Sequence, residues 1–162
     1  MVAYQYRPPA GIPGSVVRYE GSFIESQAVD PANPPLAFGV PTKIVSGLVQ
    51  PLAAGDAVTA IAGINVRSFP GSASQDPLGT STPPATGSTS IMVRGYINVI
   101  ARGAASPIKR GTVYVRVASP ASGKPVGGFE AAADGANTVV LPNSYFMGPP
   151  DAFGNVEIAY NI

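Results

Sequence analysis

The chain has 162 residues, ten basic and nine acidic side chains, a net charge of +1, and neither Cys, His nor Trp. That excludes disulfide and thiolate chemistry, catalytic triads built on an imidazole base, zinc sites built on Cys or His, and a field strong enough to steer nucleic acid. Nineteen Gly and eighteen Pro leave no interval free of both that is longer than nine residues, 22–30.

In a helix interior Gly and Pro cost about 1 and 3 kcal/mol relative to Ala, so little helix is expected. The intervening runs are rich in Val, Ile, Thr and Tyr, which suit a half-buried pleated surface. An all-β chain follows, and its length fits one domain. Apolar residues are 45% and charged residues 12%, about half the usual charged share. Such a near-neutral surface associates rather than repels. No apolar run approaches the ~20 residues of a membrane helix. The N-terminal residues lack the basic-then-apolar order of a signal peptide, so synthesis in a cytoplasm and no membrane partner are expected.

Residues 1–41 read as an extended, proline-studded N-terminal arm with one possible strand over 19–28. The segment carries Tyr4, Tyr6, Tyr19, Phe23 and Phe38, more aromatics than a solvated tail needs, which points to an arm lying on a neighbour. Residues 42–162 read as a β-domain. Over 56–67 a period of two places Val58, Ala60, Ala62, Ile64 and Val66 on one face. Residues 68–88 form a long connection with four prolines and a single charge, Asp76. Connections of that length are usually functional or disordered.

Over 91–102 the alternation places Ile91, Val93, Ile97, Val99 and Ala101 inward, with Arg94, Tyr96, Asn98 and Arg102 outward. Over 112–118 it places Val113, Val115 and Val117 inward against Thr112, Tyr114 and Arg116. Over 155–162 it sets Val156, Ile158, Tyr160 and Ile162 against Asn155, Glu157 and Asn161. Weaker strands are expected at 43–50, 126–130 and 137–141. About seven short strands with one packed face suggest an antiparallel sandwich or barrel.

The residues offer little chemistry. The nine carboxylates are scattered, with no segment spaced as a calcium loop; only convergence of two of them in the fold would make a glycosidase pair. Ser122-Gly123-Lys124 has the Gly-Lys pair of a phosphate loop, but Pro125 follows where Ser or Thr is needed, so a turn is expected. No catalytic residue, cofactor or metal is therefore assigned. Arg94, Arg102, Lys109, Arg110 and Arg116 cluster in sequence, with Tyr96 and Tyr114 on the same outward faces as Arg94 and Arg116. Single-strand nucleic-acid binders combine such residues. Arg and Tyr are also enriched at protein interfaces, and the net charge favours the protein partner over nucleic acid. The expected contact residues are Tyr4, Tyr6, Tyr19 and Phe23 in the arm, with Arg94, Tyr96, Tyr114 and Arg116 in the domain.

Three features together resemble the capsid cement, or decoration, proteins of tailed bacteriophages. They are a short Pro/Gly-rich β-chain without His, Cys or Trp; the strands Ala60-Ile61-Ala62-Gly63-Ile64-Asn65-Val66-Arg67 and Arg94-Gly95-Tyr96-Ile97-Asn98-Val99; and the closing segments Gly127-Gly128-Phe129, Val140-Leu141-Pro142-Asn143 and Glu157-Ile158-Ala159-Tyr160-Asn161-Ile162. The resemblance covers the chain from about Pro41 onward. It implies a jelly-roll-like sandwich or barrel on the outer surface of the virion head, bridging subunits of the major capsid protein as a dimer or trimer, with no catalytic residues. The alternatives are another phage structural module, such as a head-fibre base, tail-tube or adhesin part, and a β-sandwich carbohydrate-binding module.

Overall fold

The computed structural model describes residues 11–67 and 82–162. It is all-β, with nine strands: β1 (Val16–Ala28), β2 (Pro41–Val45), β3 (Leu48–Pro51), β4 (Gly63–Val66), β5 (Ser88–Arg102), β6 (Thr112–Arg116), β7 (Phe129–Glu130), β8 (Thr138–Phe146) and β9 (Asn155–Tyr160). Two 3-10 turns, Val58–Ala60 and Gly135–Asn137, are the helical elements among the described residues. The antiparallel jelly-roll-like expectation holds, with the parallel β5–β7 pair as the exception.

The long strand β5 organises the molecule. Its second half closes a ring in the order β5-β7-β6-β8-β9, because β9 pairs back onto β5 from Gly95↔Tyr160 to Ile100↔Asn155. Its first half carries β4, then β2 and β3 beyond it, and β1 runs antiparallel along it from Ala28↔Ser88 to Val16↔Ile97. A parallel bridge, Val29↔Val49, ties the end of β1 to β3. The core draws on both halves: Leu52, Ile64, Val66, Met92, Ile97, Val99, Val113, Val115, Phe129, Leu141, Phe146, Val156, Ile158 and Tyr160. Each large side chain so buried contributes roughly 1.5–3 kcal/mol.

Several expected elements are corrected. The 56–67 alternation does not make one strand: Val58–Ala60 turns, and only Gly63–Val66 extends. A Cβ at Gly63 would lie 2.7 Å from the Met92 carbonyl oxygen, so glycine lets β4 approach β5. The single strand expected over 43–50 is a hairpin, because Ser46 (φ 52°) and Gly47 (φ 82°) make the two-residue turn with both φ positive that matches strand twist. In β5 Ile91, Met92, Ile97 and Val99 are all fully buried, with Met92, Ile97 and Val99 in the main core cluster, while Val93 is only half-buried, so the inward series is not unbroken and odd. The parity changes across Gly95, where β1 bulges and Gly95 adopts φ 139°.

β8 runs on past the expected 137–141, but its ladder breaks at Pro142, which has no N–H to donate, and at Asn143, with φ 51°. β7 is shorter than 126–130 because Gly128 N–H bonds Pro125 O and turns the chain. Ser122-Gly123-Lys124 is the turn expected of it, closed by reciprocal bonds between Ala121 and Lys124. Most of the 68–88 connection lies outside the described residues, and Ser88 already belongs to β5.

Candidate interaction surface

β1 is exposed or half-buried along its whole length. None of its thirteen residues is buried, and Val17, Tyr19, Phe23 and Ile24 are exposed apolar side chains. Among the described residues β5 is its only strand partner apart from the Val29–Val49 bridge. The register jumps from Arg18↔Tyr96 to Phe23↔Arg94, so residues 19–22 stand out opposite Gly95 alone. Tyr19, at the base of that protrusion, is 76% exposed. Ser22 Oγ donates to Arg18 O at 2.5 Å and closes the bulge.

Cross-strand pairing continues the surface over the barrel. Arg18↔Tyr96, Tyr96↔Ala159, Tyr145↔Ala159 and Thr112↔Tyr145 are direct partners on β1, β5, β9, β8 and β6. Directly opposed residues share a face, so they form one row. Ala159 between them is fully covered, and the two tyrosines flanking it are half-buried. Arg18 stacks on Tyr96 at 4.9 Å, and Arg110 stacks on Tyr145 at 4.3 Å. One bulge away, Arg94 lies 5.9 Å from the Phe23 ring. Each such contact is worth about 0.5–1 kcal/mol at an exposed site. Arg18 Nε also donates to Glu157 Oε1 at 2.9 Å. This bond and the nearby charge raise the Arg18 pKa above its ordinary value, so the guanidinium is held in place and charged.

The structure exposes Tyr19 and Phe23 on β1, pairs Phe23 with Arg94 and pairs Arg18 with Tyr96. Tyr4 and Tyr6 lie outside the described residues. Tyr114 is half-buried on β6 opposite Glu130 and Val140, away from the row.

Arg116 does not face outward. It is 1% exposed, with Nε 2.6 Å from Glu130 Oε1 and Nη2 2.5 Å from Asp134 Oδ2. Its Nη1 reaches the carbonyl oxygens of Ala118 and Ser119. The alternation that put Val117 inward, where it is buried, put Arg116 outward because it could not show Glu130, Asp134 and the Ala118 and Ser119 carbonyls enclosing it. The basic cluster is likewise dispersed, with Arg116 buried, Arg110 and Arg94 on aromatic rings, and Arg102 in a cleft beside Lys124.

Sequence reasoning missed Arg18, Tyr145 and Arg110 as members of the surface. Arg18 sits in the exposed strand beside Tyr19. Tyr145 follows the Pro142 break that ended the expected strand, and nothing in its neighbourhood shows that it shares a row with Tyr96. Among the described residues no cluster of three metal-ligating side chains occurs.

The closed β-barrel keeps a long edge strand exposed and stacks arginines on tyrosines, and the comparisons place the chain among phage capsid-associated proteins. The family model of the XM1 gp53 minor capsid protein matches residues 1–160, and the chain belongs to that family. A chain in a solved structure, "The capsid of Myoviridae Phage XM1", shares its fold at TM-score 0.72 and 17% identity, over 98% of this chain and 95% of that one. No curated protein matches the chain.

Proposed function

We propose that this protein is a cement protein: it binds the outer surface of a tailed-phage head and bridges neighbouring subunits of the major capsid protein. The observation that carries the reading is β1, a thirteen-residue edge strand with no buried residue and four exposed apolar side chains. Exposed edge strands are normally blunted or covered, and membership of a minor capsid protein family supplies a shell as the cover. A net charge of +1 offers no attraction to packaged DNA, which favours the outer face. The contact set is Tyr19, Phe23, Arg94 and Tyr96, extended by Arg18 and Tyr145 along the row. Tyr4 and Tyr6 in the N-terminal segment add to it by reaching an adjacent subunit. Tyr114 is a lesser contact, and Arg116 supports the fold behind it. Copies group as dimers or trimers, and many modest contacts on one lattice add through effective concentration.

The test is co-sedimentation of the purified chain with head shells assembled without it. The wild type should saturate the shells, and the Tyr19→Ala/Phe23→Ala double variant should bind at least about tenfold more weakly, as expected for buried aromatic anchors. Deletion of residues 2–10 should weaken binding while leaving the melting temperature unchanged. A wild-type chain that stays in the supernatant overturns the reading. Electron microscopy of decorated shells distinguishes the outer face from a tail or fibre position.

A further inference from the structure

A second exposed surface lies at the barrel end where β5 and β8 run out and β6 and β9 begin. Phe153 stands at the tip of the 147–154 loop and is 82% exposed, the largest exposure among the exposed large apolar residues described. Single exposed apolar residues are ordinary, but the turn that presents this one is closed by hydrogen bonds. Asp151 Oδ1 accepts from Phe153 N–H and Asn155 N–H, both at 2.9 Å, and Oδ2 accepts from Asn155 Nδ2 at 3.0 Å. A turn whose backbone is already tied loses little backbone entropy on binding. Ile108, 68% exposed, rises from the neighbouring 103–111 loop, which is tied to β8 by Arg110 N–H to Phe146 O.

The same end carries an unmatched charge. Gly154, next to Phe153, accepts from Ala101 N–H at 2.8 Å, and the following residue, Arg102, lines a cleft of roughly 260 Å³ with Lys124, Glu130 and Asp134. Glu130 is engaged by Arg116 and Lys124, and Asp134 by Arg116. Arg102, half-buried, has no anionic partner among the described residues.

We propose that this barrel end is a second docking surface, taking a capsid-shell subunit that seats an acidic side chain against Arg102 and an apolar recess over Phe153. This rests on the capsid reading above and supplies what bridging requires, two separate faces on one copy. The occupant is complementary in both respects: a carboxylate for the surplus cation, and a recess for the exposed ring.

The experiment uses the full chain and shells assembled without it. Phe153→Ala should raise the dissociation constant about tenfold or more. Arg102→Gln should raise it severalfold and flatten its salt dependence, while Arg102→Lys should retain the salt dependence. Melting temperatures report whether each variant is folded, and Phe153, fully outside the core, leaves its variant intact. Phe153→Ala binding like wild type, in a preparation where Tyr19→Ala/Phe23→Ala has lost binding, overturns this surface and leaves the capsid reading standing. A change in the oligomeric state of the free protein on Phe153→Ala also overturns it, because the occupant is then a second copy. If wild type itself fails to bind, both readings fall together.

Discussion

Gly95 and Ser22 are packed so closely that no side chain fits between their strands. A Cβ on Gly95 would lie 2.7 Å from Ser22 Cβ and 2.9 Å from Ser22 Cα, and Gly95 itself adopts φ 139°. The bulge that lifts Tyr19 off the sheet therefore depends on a missing methyl group across the ladder. Gly95→Ala combines backbone strain with overpacking and should destabilise by roughly 2–4 kcal/mol. Gly21, at φ 75° with nothing within 4 Å, supplies the control, since Gly21→Ala meets backbone strain alone, about 1–2 kcal/mol. Urea denaturation of both variants checks this. Equal losses would show that the close approach carries no energy.

The Arg116 guanidinium is the largest fully buried side chain described, and its charge is balanced by Glu130 and Asp134. Arg116→Met leaves the Glu130 carboxylate at 3% exposure with only Lys124, at 3.5 Å, as a cation. Breaking a buried pair from one side costs about 3–5 kcal/mol, while replacing both partners by apolar residues is often near neutral. Arg116→Met should therefore be strongly destabilising, and Arg116→Met/Glu130→Met should recover most of the loss. Asp134 stays solvated at the rim in both, with its side chain 45% exposed. A double variant as unstable as the single one would show that the ion pair itself, rather than relief of an orphaned charge, holds β6 to β7.

The exposed row offers the reverse test. Tyr19 and Phe23 touch solvent over most of their surface, and substitutions at such positions usually change stability by no more than about 0.5 kcal/mol. Tyr19→Ala should melt with wild type, and Phe23→Ala should lose at most a few tenths more through its Arg94 contact. Differential scanning calorimetry gives the answer. A large drop for either would make β1 a stabilising element of the fold rather than a contact strand.

The parts of the fold that were legible in the sequence are those where one period runs unbroken. Val113 and Val115, or Val156, Ile158 and Tyr160, alternate without interruption and face the core as expected. Legibility fails where the period changes inside an element. Met92 and Ile97 both join the main core across the Gly95 irregularity, and a pattern read with one phase misses Met92 and assigns Val93, which is only half-buried, though Ile91 is buried as expected. Ser46-Gly47 falls inside the single strand expected over 43–50, though it is the turn that makes a hairpin. The contact surface was half legible. Aromatic and arginine content pointed to Phe23, Arg94 and Tyr96, but the row joining Tyr96 to Tyr145 depends on a register between β5, β9 and β8, and Arg116 was misplaced because its cover comes from a two-residue strand fourteen positions away.

Three carboxylates are held below their ordinary range by their partners, and each adds to an acid dependence of stability. The Asn33 side chain, then the Ala32 N–H, hold Asp30 below the usual carboxylate range; Lys43 does the same for Asp56, and Arg116 for Asp134. In each case the folded pKa is depressed, so the unfolded chain takes up the proton first as pH falls. The stabilisation is present above the ordinary carboxylate value of about 4 and is lost as pH drops through the lower folded values. At the alkaline end burial pushes the Tyr160 phenol above its ordinary value. The unfolded chain then ionises first, and stability is lost as pH rises beyond about 10. Melting temperature should be flat through neutral pH and fall on both sides. Asp56→Asn, which removes the 2.8 Å contact from Lys43 Nζ, should lower the plateau slightly and make the acid slope shallower, and Tyr160→Phe should flatten the alkaline slope alone. An Asp56→Asn profile parallel to wild type from neutral pH down to pH ~2 would remove the Lys43 pair from the acid response.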